Sequence, residues 1–465
     1  MPSSRRAITL SSLVPRVLGW GSAVSPWDNA EVLRAELFSI ERLEQHAESL
    51  AAAQQVTRRR TERRSLSVRL RDNEWALLAA YRAIVAAVAE GRAITPAAEW
   101  LIDNYHLVED QIREVRQDLP PTFYRLLPKL ASGPFNGYPR VFGLAWAFVA
   151  HTDSRFDPET LRQFVRAYQR VQPLTIGELW AVAITLRIVL VENLRRAATR
   201  IVSSRAARQE ADAVADRLLG VNGYPAEPDA LIRSHARHAA LAPAFVVQLT
   251  HRLRDQDPRA TPALRWLEER LTAQGTTPDA IVHDEHQRQG ASNVTVRNII
   301  TSMRLLSDVD WRQFFESVSL VDEALCAGSD FAAMDFPSRD LYRRAIEQLA
   351  RGSRRTELEI ARAALSAAGR VTQGAAAAGK AAAGRELDPG YYLIAAGRHA
   401  FAATVGYRAS LWNRSGRFHA APGFGGYLLH RARVGHIRRE PADVRSCGND
   451  QGVHRCLLIS IYLAL

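Results

Sequence analysis

Helical periodicity with little strand alternation predicts an all-α protein, a multi-helix bundle or stack of helical hairpins followed by a poorly structured C-terminal tail. Three observations carry that expectation. Apolar residues return at three- and four-residue steps through most of the chain, and several runs bring their own start and stop residues. Alternating strand patterns are scarce, and no β-α-β rhythm of turn, strand and helix occurs.

Taken in chain order, the first clear element opens at Thr95, a capping residue followed by Pro96 at the first helical position. Leu101, Tyr105, Val108, Ile112, Val115 and Leu119 then recur on one stripe until Pro120-Pro121 stops the run. The spacing predicts one amphipathic helix of about six turns. Asp157-Pro158-Glu159 opens the next, with Leu161, Phe164, Val165 and Tyr168 on its apolar side and Pro173 beyond its end. Thr175 and Glu178 form a Thr-x-x-Glu capping box for an apolar helix through Trp180, Ile184 and Val191. Two helices joined by so short a turn are expected to pack side by side. Val294 to Leu325 reads as one long or broken helix, Ser338 as the opening of a shorter one through Leu341, Tyr342, Ala345 and Leu349, and Thr356 with Glu359 as a second capping box.

Punctuation divides the 465 residues into five segments. Residues 1–26, which contain Pro, Gly and Ser, read as a loose N-terminus, 27–220 as a first helical group and 229–368 as a second, with the Gly220 to Pro228 stretch between them. Residues 369–407 begin with an Ala/Gly-rich connection, Gly369 to Arg385, expected to be flexible or frayed. From Arg408 to residue 465 the amphipathic period disappears, and four of the 13 histidines and two of the three cysteines fall there. This tail reads as aberrant and disordered. No repeat of fixed period stands out.

Composition excludes several classes. With 47% hydrophobic and 24% charged residues the chain has the makings of a packed core. Three cysteines, Cys326, Cys447 and Cys456, are too few for a disulfide framework, and no signal segment is recognisable, so the expected compartment is reducing and cytoplasmic. The most apolar window, Leu179 to Val191, holds Arg187 and is closed by Glu178 and Glu192; its 13 residues fall short of the roughly 20 that a bilayer requires. It reads as a buried helix, in which Arg187 and Glu192 are expected to neutralise each other. The final run from Leu457 to Leu465 is shorter still.

The formal charge of +12 comes almost wholly from arginine, since Lys129 and Lys380 are the only lysines. A GC-rich coding sequence accounts for such a bias, and nucleic-acid binding is not the favoured reading. The one dense basic cluster, Arg58, Arg59, Arg60, Arg63 and Arg64, reads either as a solvated helix face or as a contact for an anionic membrane surface.

Motifs that would carry chemistry are weak. Asp255-Gln256-Asp257 and Asp308-Val309-Asp310 match the Asp-x-Asp triplet that holds a divalent metal in nucleotide-sugar transferases, but neither follows a strand, and turn or exposed helix positions are the better reading. His283-Asp284-Glu285-His286 and the pair His235 and His238 lack a third ligand, and Cys447, His454 and Cys456 lack the paired-cysteine spacing of a zinc site. His151, Asp153 and Asp157 could pair a base with a carboxylate, yet Asp157 reads as a helix cap, Asp153 as a turn residue and His151 as a helix end. Nucleophile-elbow, Walker and dinucleotide-binding motifs are absent. No residue is assigned a catalytic, cofactor-binding or metal-binding role.

Longer wording is more specific. The run AEWLIDNYHLVEDQIREVRQDLPPTFYRLLPKL, followed by GYPRVFGLAWAFVAHTDSRFDPETLRQFVRAYQRVQPLTIGELWAVAITLRIVLVENLRR, resembles the N-terminal helical region of bacterial cyclic β-1,2-glucan synthases. So do ASNVTVRNIITSMRLLSDVDWRQFFESVSLVDEAL and the stretch from SDFAAMDFPSRDLYRRAIEQLARGSRRTELEIA to DPGYYLIAAGR, so that the resemblance covers roughly Glu31 to Tyr407. It implies an all-α region at the cytoplasmic face of the inner membrane. It also implies partners in the same polypeptide: membrane segments, a family-84-type transferase domain that polymerises glucose from UDP-glucose, and a phosphorylase-like domain. UDP-glucose and a divalent metal are implied for the transferase domain and no cofactor for these residues. The chain departs from that pattern after Tyr407, and the expectation is a truncated or frameshifted product, non-catalytic by itself. The alternative is a stand-alone helical scaffold that binds or regulates a membrane glycosyltransferase.

Overall fold

The computed structural model describes residues 31–57, 65–221, 241–254, 261–377 and 384–408. Among these the structure is all-α: seventeen helices and one antiparallel pair of two-residue strands. The unit of Ala409–Leu465 lies outside the described residues, as do residues 1–30, the Arg58 to Arg64 cluster, Asp255-Gln256-Asp257, and the pair His235 and His238.

The first helices are α1 (Ile40–Ala53), α2 (Leu66–Ala89), α3 (Pro96–Asp103) and α4 (Tyr105–Asp118). The single helix expected from Pro96 to Leu119 is therefore two. Asn104 leaves helical geometry with φ −116° and ψ 18°; its Nδ2 donates to the Trp100 carbonyl and its Oδ1 accepts from Arg304. A local side-chain cap thus competes successfully with an uninterrupted ladder, and the apolar stripe continues across the break because both halves pack on the same neighbours.

Next come α5 (Pro121–Leu126), α6 (Arg140–His151), α7 (Pro158–Val171) and α8 (Ile176–Leu219), with β1 (Val56–Thr57) paired to β2 (Lys129–Leu130). α8 has 44 residues, about 66 Å at 1.5 Å per residue. From Ile176 to Leu194 it is buried on every face, packed by α2, α4 and α6. An apolar surface all round is what a central helix needs. No helix among the described residues is long and apolar enough to cross a membrane. The short turn Gln172-Pro173-Leu174 links α7 to α8, although the principal contact of α7 is α1.

α8 ends at Gly220, whose φ of 70° is the left-handed cap that glycine adopts without strain. α9 (Pro243–Leu253) folds back on it, and with α10 (Thr261–Ala273) builds a second core from Ala211, Val214, Leu218, Phe245, Leu249, Leu267 and Leu271. Helices on both sides of the Gly220 boundary therefore share one apolar interior.

The run from Val294 to Leu325 is broken twice, giving α11 (Pro278–Asp308), α12 (Trp311–Val318) and α13 (Leu320–Gly328). Val309 and Ser319 are extended, and Asp310 and Ser319 cap the helices that follow. α14 (Phe336–Gly352) starts two residues before Ser338: Asp335 is the cap, its carboxylate accepting from the Ser338 amide. α15 (Glu357–Ala377) opens with the expected Thr356–Glu359 box and runs well into the Ala/Gly-rich stretch, in keeping with the high helix propensity of alanine. α16 (Pro389–Leu393) and α17 (Arg398–Thr404) close the unit against α15 and α14.

Candidate functional site

Ionisable side chains converge where α8 begins. Glu178, fully buried, accepts from Thr175 in the capping box and from Arg140 of α6 through two bonds, Nε to Oε1 at 2.9 Å and Nη2 to Oε2 at 2.6 Å. Arg140 also donates to Gln172 Oε1 and the Pro173 carbonyl, fixing the turn that aims α8. Beside it the Tyr168 hydroxyl donates to Gln54 Oε1 at 2.7 Å, and burial pushes that phenol up to about 12. Gly143 admits this layer: a Cβ there would meet Gln54 Nε2 at 3.1 Å and Leu130 at 3.2 Å.

Two further carboxylates reach the same helix end from the later part of the chain. Glu357 Oε2 accepts from the Ile176 amide at 2.6 Å. Glu347 of α14 lies beside Gly177 and accepts from Arg351 at 2.6 Å. Burial, followed by the charge of Glu347, raises the Glu357 carboxyl to about 8; burial also raises Glu347. Across the joint, burial lowers the Lys129 ammonium to about 7 against the opposing pull of Glu178. That ammonium donates to the Tyr124 carbonyl at 2.7 Å and sits 3.5 Å from the ring centroid of the same residue.

The first-turn amides of a helix attract anions such as diphosphates. Here the Ile176 amide is taken by Glu357 and that of Glu178 by Thr175, so the cluster acts as a joint, tying α6, α7 and α8 to α14 and α15. Two surface cavities lie elsewhere: one of about 310 Å³ bordered by Thr250, Arg254 and Glu268, and an open groove of about 530 Å³ between α1 and α7.

The sequence-derived candidates are dispersed. Asp308 ends α11 and Asp310 caps α12, accepting from the Arg312 and Gln313 amides. His283 and His286 are exposed on α11, and among the described residues no group of three or more His, Cys, Asp or Glu side chains is arranged to hold a metal. Asp157 caps α7. Asp153 is more than a turn residue: buried, at φ 49°, it accepts from Thr295 Oγ1 at 2.6 Å and tethers α11 to the end of α6. His151 stacks on Phe38 with centroids 4.0 Å apart. Arg187 and Glu192 do not pair. Arg187 meets Glu114 at 3.0 Å and Gln111, whereas Glu192 meets Arg69, Arg195 and Arg196, because a five-residue step on a helix turns the two side chains about 140° apart. Cys326 is exposed on α13, and Cys447, His454 and Cys456 lie outside the described residues.

No family model matches the chain. It is 43% identical over 345 residues to the cyclic beta-(1,2)-glucan synthase NdvB of Rhizobium meliloti (strain 1021), an alignment covering 74% of this chain and 12% of that protein. The chain belongs to the cyclic β-(1,2)-glucan synthase family. It spans about an eighth of the length of that curated synthase.

For this synthase-family chain, Glu178 was legible as a capping residue, and Glu192 and Arg187 as charges needing partners. Glu347, Glu357 and Lys129 belong to no catalytic or ligand-binding motif in the sequence. Lys129 carried one usable signal, a rare lysine within the apolar run Leu126 to Leu130. Glu347 and Glu357 carried none, since glutamate on a helix is ordinarily a surface residue.

Proposed function

We propose that this chain is the N-terminal, non-catalytic helical region of a cyclic β-1,2-glucan synthase, lying at the cytoplasmic face of the inner membrane. In the longer enzyme, glucosyl transfer from UDP-glucose and any divalent metal belong to a transferase domain beyond these residues, and the helical region serves as its folded support. The observation that carries the reading is the 43% identity sustained over 345 residues, together with the small share of the relative that it covers. The buried, side-chain-capped head of α8 supports it, since that geometry joins helices.

Two measurements test it. A full-length synthase whose corresponding region is replaced by residues 31–408 should make cyclic glucan, whereas the same synthase lacking that region should not. The purified chain should transfer no radiolabelled glucose from UDP-glucose; incorporation by the chain alone would overturn the proposal.

A further inference from the structure

The outer face of α2 presents a tryptophan to solvent. Leu70, Leu77, Ala80, Ile84 and Ala87 are buried, and α2 packs chiefly on α8. The opposite side carries Val68, Trp75, Ala79 and Ala86 at helical spacing, with Arg71 and Arg82 flanking them, all exposed. Trp75 is 71% exposed, the most exposed of the large hydrophobic side chains among the described residues. Asp72 is the one acid on this stripe; the neighbouring Glu74 is engaged by Arg116.

Charge identifies what would cover it. From Arg58 to Arg82 there are eight arginines against three carboxylates, and five of the eight directly precede the Ser65 cap of this helix in sequence. Of the others, Arg69 is committed to Glu192 inside the fold, whereas Arg71 and Arg82 are on the exposed side. A lone indole among alanine and valine, bordered by arginines, matches the interface between lipid headgroups and acyl chains, where tryptophan's apolar body and polar N–H are both accommodated. Single-stranded nucleic acid would instead call for a series of stacking aromatics, and Trp75 is the one aromatic on this stripe.

We propose that the exposed face of α2, centred on Trp75 with Arg71 and Arg82, is a docking surface for an anionic lipid membrane. The contact is peripheral: the helix lies along the surface with its inner side still packed on α8. It stands on this face and on the arginine-rich sequence that precedes it, and does not depend on the family's activity.

The test uses the full chain and vesicles of phosphatidylcholine with or without phosphatidylglycerol. Sedimentation should show binding to the anionic vesicles that weakens as salt is raised. Trp75→Ser should weaken binding about tenfold, and Arg71→Ser with Arg82→Ser by about tenfold or more. Each variant should keep the wild-type circular dichroism spectrum and melting point, because the substituted side chains are exposed. Brominated acyl chains should quench a component of the tryptophan emission that Trp75→Phe removes. The proposal fails if the wild-type chain ignores anionic vesicles, if the Trp75 and arginine variants bind them as wild type does, or if the chain prefers single-stranded RNA over anionic vesicles at matched salt.

Discussion

At the scale of a residue, Glu192 shows how a buried charge is made tolerable. Its carboxylate is fully buried, and it accepts from Arg69 at 2.9 and 3.0 Å, from Arg195 at 2.8 Å and from Arg196 at 2.9 Å. Burial pushes its pKa up, but the Arg69 hydrogen bonds and the charges of Arg195 and Arg69 outweigh that and hold it at about 2. A carboxylate depressed in the folded state stabilises the fold above its unfolded pKa, and that stability is lost as pH falls towards the folded value. Glu192→Ala leaves guanidinium groups without their central acceptor and is expected to cost about 3–5 kcal/mol at neutral pH. Urea unfolding should also show a shallower loss of stability for the variant than for wild type between about pH 5 and pH 2. An unchanged acid limb would mean that Glu192 is not the group that titrates.

At the scale of an element, the start of α8 matters more than its length. The Thr175 hydroxyl accepts from the Glu178 amide at 3.2 Å while Glu178 accepts from the Thr175 amide at 2.9 Å. Thr175→Ala removes one half of that exchange and is expected to cost about 1 kcal/mol, read as a lower urea midpoint with an unchanged slope. Thr175→Ser should recover most of it. The same logic explains the helix boundaries that periodicity misplaced. Asn104, Asp310 and Ser319 are short polar side chains that bond to nearby backbone and so end or begin helices inside continuous apolar stripes, and Asp335 in the same way starts α14 ahead of Ser338. A stripe records which side faces the core. It does not record whether the backbone is continuous beneath it.

At the scale of the molecule, α8 runs through two apolar interiors. Its first half is enclosed by α2, α4 and α6, and its last turns belong to the core shared with α9 and α10. Leu249, 2% exposed, sits in the second core, and Leu249→Ala is expected to cost about 2–5 kcal/mol there. Hydrogen exchange should then accelerate in residues 207–219, 243–253 and 261–273 while residues 176–194 keep their wild-type protection. Equal acceleration in both regions would show that the two interiors open as one cooperative unit.

The amino-acid order by itself determined the helical class, the Thr175 and Thr356 caps, the burial of Leu179 to Val191 and the family, because each rests on near neighbours in sequence or on wording that extends over long runs. Only the tertiary structure decided which charges meet. Arg187 and Glu192, five residues apart, face different helices, whereas Glu192 finds Arg69 and Ile176 finds Glu357 across gaps of 123 and 181 residues. Apolar periodicity is written into a segment and survives without its partners. An ion pair or a shared cap is a property of two segments, and it exists only once folding has brought them within reach.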